Sequence, residues 1–288
     1  MPWTTGHPGL AIAMLCLAGV ATLSHFLMEP WRWLACYLPA LKETAARGRL
    51  RDTFFATALA SYLLPFKLGI PLRLGLLHRQ SGLAIRFLGV IIAIDGAVSA
   101  LVWAVITATA AWVLAVHWSP PWYLLVAGSA IVVLGAILLR AQKGGRAIVH
   151  IKEALLQLDR PLIRLLKATS ILSMDVLSYG VRHAALLVLI TGEPSRALLG
   201  ALAGIVATFT GIISGLPLGL VGYDATLIAL LSLSGISTSQ AVAVVLFNRL
   251  LNLGCAALLG LPAAIRLGLG SGIVSIMRKM REMGGGKN

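Results

Sequence analysis

Charge is scarce in this chain, and negative charge scarcer still. Of 288 residues only 12% are charged, 58% are hydrophobic and the mean hydropathy is +0.90. Soluble domains carry about 25% charged residues, so water as the only solvent is excluded. Ten acids face 24 Lys and Arg, a net charge of +14. In a soluble protein such an excess suggests nucleic acid. Here no basic–aromatic reader motif occurs and the bases fall between apolar runs, so membrane orientation and anionic headgroups account for them and no nucleic-acid partner is expected. Cysteine is nearly lacking: Cys16, Cys36 and Cys255 form no CxxC, which leaves neither a zinc site nor a disulfide framework. His7, His25, His78, His117, His150 and His183 include no i, i+4 pair. HExxH, GxSxG, a Walker A loop and a strand-borne GxGxxG are all missing. No catalytic residue, metal or cofactor is therefore expected. Residues 1–8 contain no Lys or Arg, so the basic start of a signal peptide is missing, and Gly9 to Met28 reads as a retained first helix.

Long apolar runs are abundant: 9–28, 53–64, 84–116, 122–139, 168–191, 197–214, 223–234 and 239–265. They are continuously apolar, whereas membrane barrels alternate over short strands. The expected fold class is an all-α polytopic membrane protein, one helical domain over 1–276 with a polar cytoplasmic tail over 277–288. Segments 29–52, 140–167 and 265–288 are rich in Lys and Arg, while 1–8 and 117–122 have none and 192–196 has only Arg196. The positive-inside rule puts the basic segments in the cytoplasm and the N-terminus outside. Residues 73–86, with Arg73, Arg79 and Arg86, then also look cytoplasmic, so the stretch between must enter and leave on one side. Pro65 cannot donate a hydrogen bond and disfavours helix at Leu64. The expectation is a re-entrant helical hairpin over 53–79 with its tip at Leu64-Pro65. A second interruption, Gly215 to Gly222, breaks 197–234 and reads either as an oppositely inserted hairpin or as two spans kinked at Pro217. Matching interruptions in two halves suggest an inverted repeat and point to a transport site. Pro65, Gly69, Pro71, Pro217, Gly219 and Gly222 are the expected break residues. Segment 144–166 carries an apolar stripe from Ile148 to Leu165 and reads as an amphipathic cytoplasmic helix.

Ionisable residues inside a membrane are costly, so they are candidates for function. They are Lys67, Arg73, Asp95, Asp175, Arg182, Asp224 and Arg249. Lys67, Arg73, Asp224 and Arg249 accompany the broken helices, and with Asp95 and Asn252 they form the expected lipid-binding set. Arg73, Asp224 and Arg249 are expected to converge on one polar cavity. Asp175 and Arg182, seven apart on one helix, are expected to form a structural ion pair. Free N–H groups at half-helix starts, with Arg and Lys beside them, suit an anionic lipid. The GxxxG pairs Gly200/Gly204 and Gly211/Gly215 read as close helix packing.

The stretch Pro65-Phe66-Lys67-Leu68-Gly69-Ile70-Pro71-Leu72-Arg73 resembles the first motif of the flippase-like transmembrane domain of lysylphosphatidylglycerol synthases. Leu216 to Gly235 resembles its second motif, and Phe247-Asn248-Arg249-Leu250-Leu251 the arginine–leucine pattern that follows. Tyr223-Asp224 stands where that motif has arginine-glutamate, Pro71 lies near the place of a glutamate, and Ile94-Asp95 near that of a glutamate-arginine pair. The sequence carries no counterpart of the cytoplasmic aminoacyltransferase domain. The resemblance thus implies a flippase-like lipid transporter of the cell inner membrane, acting on an anionic phospholipid or a polyprenyl or hopanoid lipid. A lipid head-group transferase and an accessory subunit of a lipid-modifying or glycosyltransferase enzyme are the alternatives. Association into a homo-oligomer or with a lipid-modifying enzyme stays open.

Overall fold

The computed structural model describes residues 8–38, 44–63, 69–118, 160–214 and 221–269. All regular structure among them is helical. Expectations for the 122–139 run, Pro65, Lys67, Pro217, Gly219 and the tail from Met277 fall outside the described residues. Eight α-helices follow in order: α1 (Pro8–Arg32), continued by a π-helical turn (Trp33–Tyr37), α2 (Thr44–Leu63), α3 (Gly69–Ser81), α4 (Ile85–Trp118), α5 (Pro161–Thr191), α6 (Ala197–Ile213), α7 (Gly222–Leu233) and α8 (Thr238–Arg266). Among the described residues, five helical segments are long and apolar enough to cross a membrane: α1 with its π turn, α4, α5, α6 with the 3-10 turn before it, and α8. Large apolar side chains such as Ile12, Val20, Trp112, Leu250 and Leu258 face outwards, as a lipid solvent permits. The chain is a polytopic helical membrane protein.

Local chemistry sets the ends of the helices. Ser237 caps α8: its Oγ accepts the Gln240 N–H while the Gln240 side chain accepts the Ser237 N–H, a capping box. Pro161 opens α5 at a position whose N–H is spare, and Arg160 before it turns left-handed at φ 53°. The expected helix over 144–166 is therefore interrupted at Arg160, and its earlier part lies outside the described residues. Pro71 falls in the first turn of α3, where its missing donor costs nothing.

Both hairpins form. In the first, Thr53 Oγ1 bonds Gln80 Oε1 at 2.8 Å near the open end, and Arg73 Nε donates to Thr57 Oγ1 at 3.1 Å further in. In the second, Arg196 meets the Ser234 carbonyl at the open end and Thr210 Oγ1 meets Thr226 Oγ1 at 3.1 Å inside. In each pair the arms run antiparallel, with their open ends side by side. The short arms, 13 residues in α3 and 12 in α7, rise only about 20 and 18 Å at 1.5 Å per residue, less than the ~30 Å hydrocarbon core. Cysteines placed at Gly48 and Gln80 are accordingly expected to react with a membrane-impermeant thiol reagent from the same side, and labelling from opposite sides would turn the first hairpin into a span.

The halves repeat. Pro8 and Pro161, Thr44 and Ala197, Gly69 and Gly222, and Ile85 and Thr238 open corresponding helices, each pair 153 residues apart. The same interval relates Thr57 to Thr210, Ser61 to Ser214, Ser81 to Ser234, and the left-handed Gly82 (φ 68°) to Gly235 (φ 83°). A Cβ on Gly69 would stand 2.6 Å from the Thr57 carbonyl, and one on Gly222 3.0 Å from that of Thr210, so the arms of both hairpins touch at a glycine. The packing repeats too, α2 on α8 answering α6 on α4. At the centre α1 packs on its counterpart α5 in antiparallel sense: His25 meets Asp175 and the Cys36 carbonyl meets Arg164. The repeat is inverted.

Candidate functional site

The ends of α2 and α3, with α5, α6, α7 and α8, line an open cavity of about 530 Å³, within the range of small-molecule sites. Ser61, Tyr62 and Ile70 contribute from the first hairpin, Thr208, Gly211 and Tyr223 from the second. Helix α5 supplies Tyr179 and Arg182, and α8 supplies Asn248, Arg249 and Asn252. Asn252 lies four residues from Asn248 and three from Arg249, which brings the three polar members of α8 to one side of the helix.

Arg249 holds Asp224 through a two-pronged ion pair: Nη2 reaches both carboxylate oxygens at 2.7 Å and Nε reaches Oδ1 at 3.1 Å. Asp224 sits in the first turn of α7, where a helix N-terminus also favours negative charge. Just before it, Val221 adopts φ 69°, a conformation costly for a β-branched residue. Arg182 is only 2% exposed. Its Nη1 donates to Asn252 Oδ1 at 2.9 Å, its guanidinium lies 4.4 Å from the centre of the Tyr179 ring, and its buried Nε has no partner. The expected Asp175–Arg182 ion pair is corrected here. Asp175 turns to α1, where its Oδ1 lies 2.8 Å from His25 Nδ1, and no carboxylate pairs with Arg182 among the described residues. A shared helix face brought both side chains inward but did not bring them together.

The remaining expectations divide. Asn252 and Arg249 line the cavity and Asp224 is bound to Arg249. Arg73 does not line it: Arg73 pairs with Glu29 of α1 and stacks 4.7 Å from the centre of Phe54, although Ile70, one turn earlier, is at the wall. Asp95 lies elsewhere, accepting from Arg32 Nη2 at 2.9 Å and Trp33 Nε1 at 3.2 Å. Sequence reasoning missed Tyr62, Tyr179 and Asn248, whose polar groups leave no mark among apolar neighbours, and gave Arg182 a structural role. Among the described residues no group of three His, Cys, Asp or Glu could hold a metal ion.

Gly200 and Gly204 let α6 meet α5. A Cβ on Gly200 would lie 2.7 Å from the His183 carbonyl, and one on Gly204 would enter the His183 ring. His183 is thereby fixed with Nδ1 on the Tyr179 carbonyl and Nε2 on the Tyr223 hydroxyl, both at 2.7 Å.

No curated protein and no solved structure matches the chain. The family described as "Lysylphosphatidylglycerol synthase TM region" matches residues 3–260, a span that takes in both hairpins and the whole cavity. With both hairpins, the motifs and the cavity residues inside that match, the chain belongs to the family of lysylphosphatidylglycerol synthase transmembrane regions.

Proposed function

We propose that this protein is a flippase-like transporter that carries an anionic or amphipathic envelope lipid between leaflets without altering it chemically. The observation that carries the reading is the state of charge in the cavity. Each of the six described carboxylates, Glu29, Asp52, Asp95, Asp175, Glu193 and Asp224, already holds a basic side chain. Arg182 has none, so the cavity keeps an uncompensated cation beside amide and phenol groups. A buried cation seeks a counter-ion, and a lipid phosphate or carboxylate supplies one. Oppositely oriented hairpins that line one cavity suit alternating exposure of one site.

In this reading the basic segments face the cytoplasm, the N-terminus lies outside, and the membrane is the cell inner membrane. The purified protein, placed in liposomes with fluorescent phosphatidylglycerol or phosphatidylcholine in one leaflet, is expected to speed the movement of phosphatidylglycerol and leave it intact. A new lipid product would instead mark a transferase. Neither movement nor product across the lipid panel would leave an accessory protein.

A further inference from the structure

We infer that Asp175, His25 and Tyr179 form a proton-loading site, and that a proton there and an anionic headgroup in the cavity favour each other. The inference builds on the transporter reading and supplies what that reading lacks, a coupling ion.

The three side chains make one hydrogen-bonded chain between α5 and α1. Asp175 Oδ1 lies 2.8 Å from His25 Nδ1, and His25 Nε2 lies 2.9 Å from the Tyr179 hydroxyl, which belongs to a cavity-lining residue. A carboxylate only accepts, so Nδ1 carries the proton of the neutral ring and Nε2 is left as acceptor. The Tyr179 O–H therefore donates to His25. When the ring gains a proton, Nε2–H becomes a donor and the Tyr179 oxygen must accept from it. The Tyr179 O–H is then released to donate into the cavity. The bookkeeping closes: a hydronium ion reaching the cavity gives a proton to the Tyr179 oxygen as Tyr179 passes its own hydroxyl proton to Nε2, and the products are water and an imidazolium between Asp175 and Tyr179. Loading adds one positive charge near the cavity and one donor inside it, and unloading reverses both steps.

The surroundings hold this site apart from the others. On α5, Arg182 lies over the Tyr179 ring and Asp175 meets His25 Nδ1. On α1, Glu29 lies one turn from His25 but is held by Arg73 of α3, and Arg32 is held by Asp95 of α4. Tyr62 of α2 faces Phe26, next to His25 in sequence, and Cys255 of α8 packs in the same cluster. Arg249 of α8 is occupied by Asp224. Trp103 of α4 meets the Tyr179 ring edge-on at 5.3 Å, which keeps the phenol in place. His183 provides the contrast: it too meets a cavity tyrosine, but its other nitrogen binds a backbone carbonyl and no carboxylate. Of the two imidazoles only His25 has a counter-ion for the charged form. Linkage is reciprocal, so whatever anion the released Tyr179 O–H holds must raise the proton affinity of His25.

Nitrogen-15 histidine NMR of the whole protein in nanodiscs tests this, with the His25 signal assigned by its loss in His25→Gln. The His25 midpoint is expected to rise by about half a pH unit or more, a threefold change in proton affinity, on going from phosphatidylcholine to phosphatidylglycerol. In Tyr179→Phe the ring should still titrate, but with the same midpoint in both lipids, which separates the coupling from the surface potential of an anionic bilayer. In liposomes, movement of labelled phosphatidylglycerol by the wild type should quicken on acidification by up to about tenfold per pH unit, the limit for one linked proton, and Tyr179→Phe should flatten that profile. A common midpoint in both lipids for the wild type, or lipid movement indifferent to pH, overturns the proton site while the transporter reading stands. A wild type that moves no lipid at any pH, yet shows the lipid-dependent midpoint, overturns the transporter reading and upholds the coupling.

Discussion

Arg182→Met is expected to cut the movement of phosphatidylglycerol in liposomes on the order of 100-fold while leaving thermal stability close to that of the wild type. The two halves of this expectation have different origins. A charge-assisted hydrogen bond is worth about 1.5–3 kcal/mol, and a guanidinium that binds an anion in two places makes two, so loss of a factor near 100 is the natural scale. Stability responds differently, because Arg182 is a buried cation with no carboxylate beside it. Burying such a charge costs several kcal/mol even after relaxation. Met removes that cost, which offsets the about 1–3 kcal/mol lost when the Asn252 Oδ1 is left without its donor. Arg249→Met provides the comparison. It strands Asp224, which Arg249 holds through three hydrogen bonds, so activity and stability should fall together. Transport at the wild-type rate by Arg182→Met would remove Arg182 from the site.

Gly204→Ala carries the largest expected effect on stability, a loss of about 3 kcal/mol at the upper end of the overpacking range. The added methyl would lie inside the His183 ring. That ring cannot swing aside without breaking hydrogen bonds to the Tyr179 carbonyl and the Tyr223 hydroxyl. Gly254→Ala is the control on α8. Nothing lies within 4 Å of its new methyl, and alanine favours helix over glycine by up to about 1 kcal/mol. Unfolding midpoints of the two variants in one detergent decide the matter: equal midpoints would mean that the α5–α6 contact has room to spare.

Much of the fold was legible in the residues. Continuous apolar runs gave the helices, and the conflict of basic loops around Pro65 demanded a hairpin before any coordinates were needed. The 153-residue interval was legible as well, in Thr57, Ser61 and Gly69 against Thr210, Ser214 and Gly222, but its chemistry hid it. Arg73 corresponds to Thr226 and Asp95 to Asn248, and Arg182 to an acid of opposite sign, Glu29, so no ionisable residue that draws the eye has a twin of its own charge. The site was read only in part, because helical spacing says which residues share a face and nothing about what faces them. Asp175 took its partner from His25, 150 residues away, and Arg182 took Asn252, 70 residues away. Asp224 was found because it follows a visible break, and Arg249 because it is a lone charge in an apolar helix.

The glycine seam between α5 and α6 has no twin in the first half. Gly180, Gly200 and Gly204 correspond, 153 residues earlier, to Leu27, Arg47 and Arg51, and α1 packs far less on α2 than α5 does on α6. An inverted repeat whose halves traded conformations would need α1 and α2 to close the same way, and two arginines and a leucine stand where bare backbone is required. In the transporter reading, a rocking of one half against the other would therefore be lopsided: the second half would move as one block, held together by three hydrogen atoms that occupy the places of side chains.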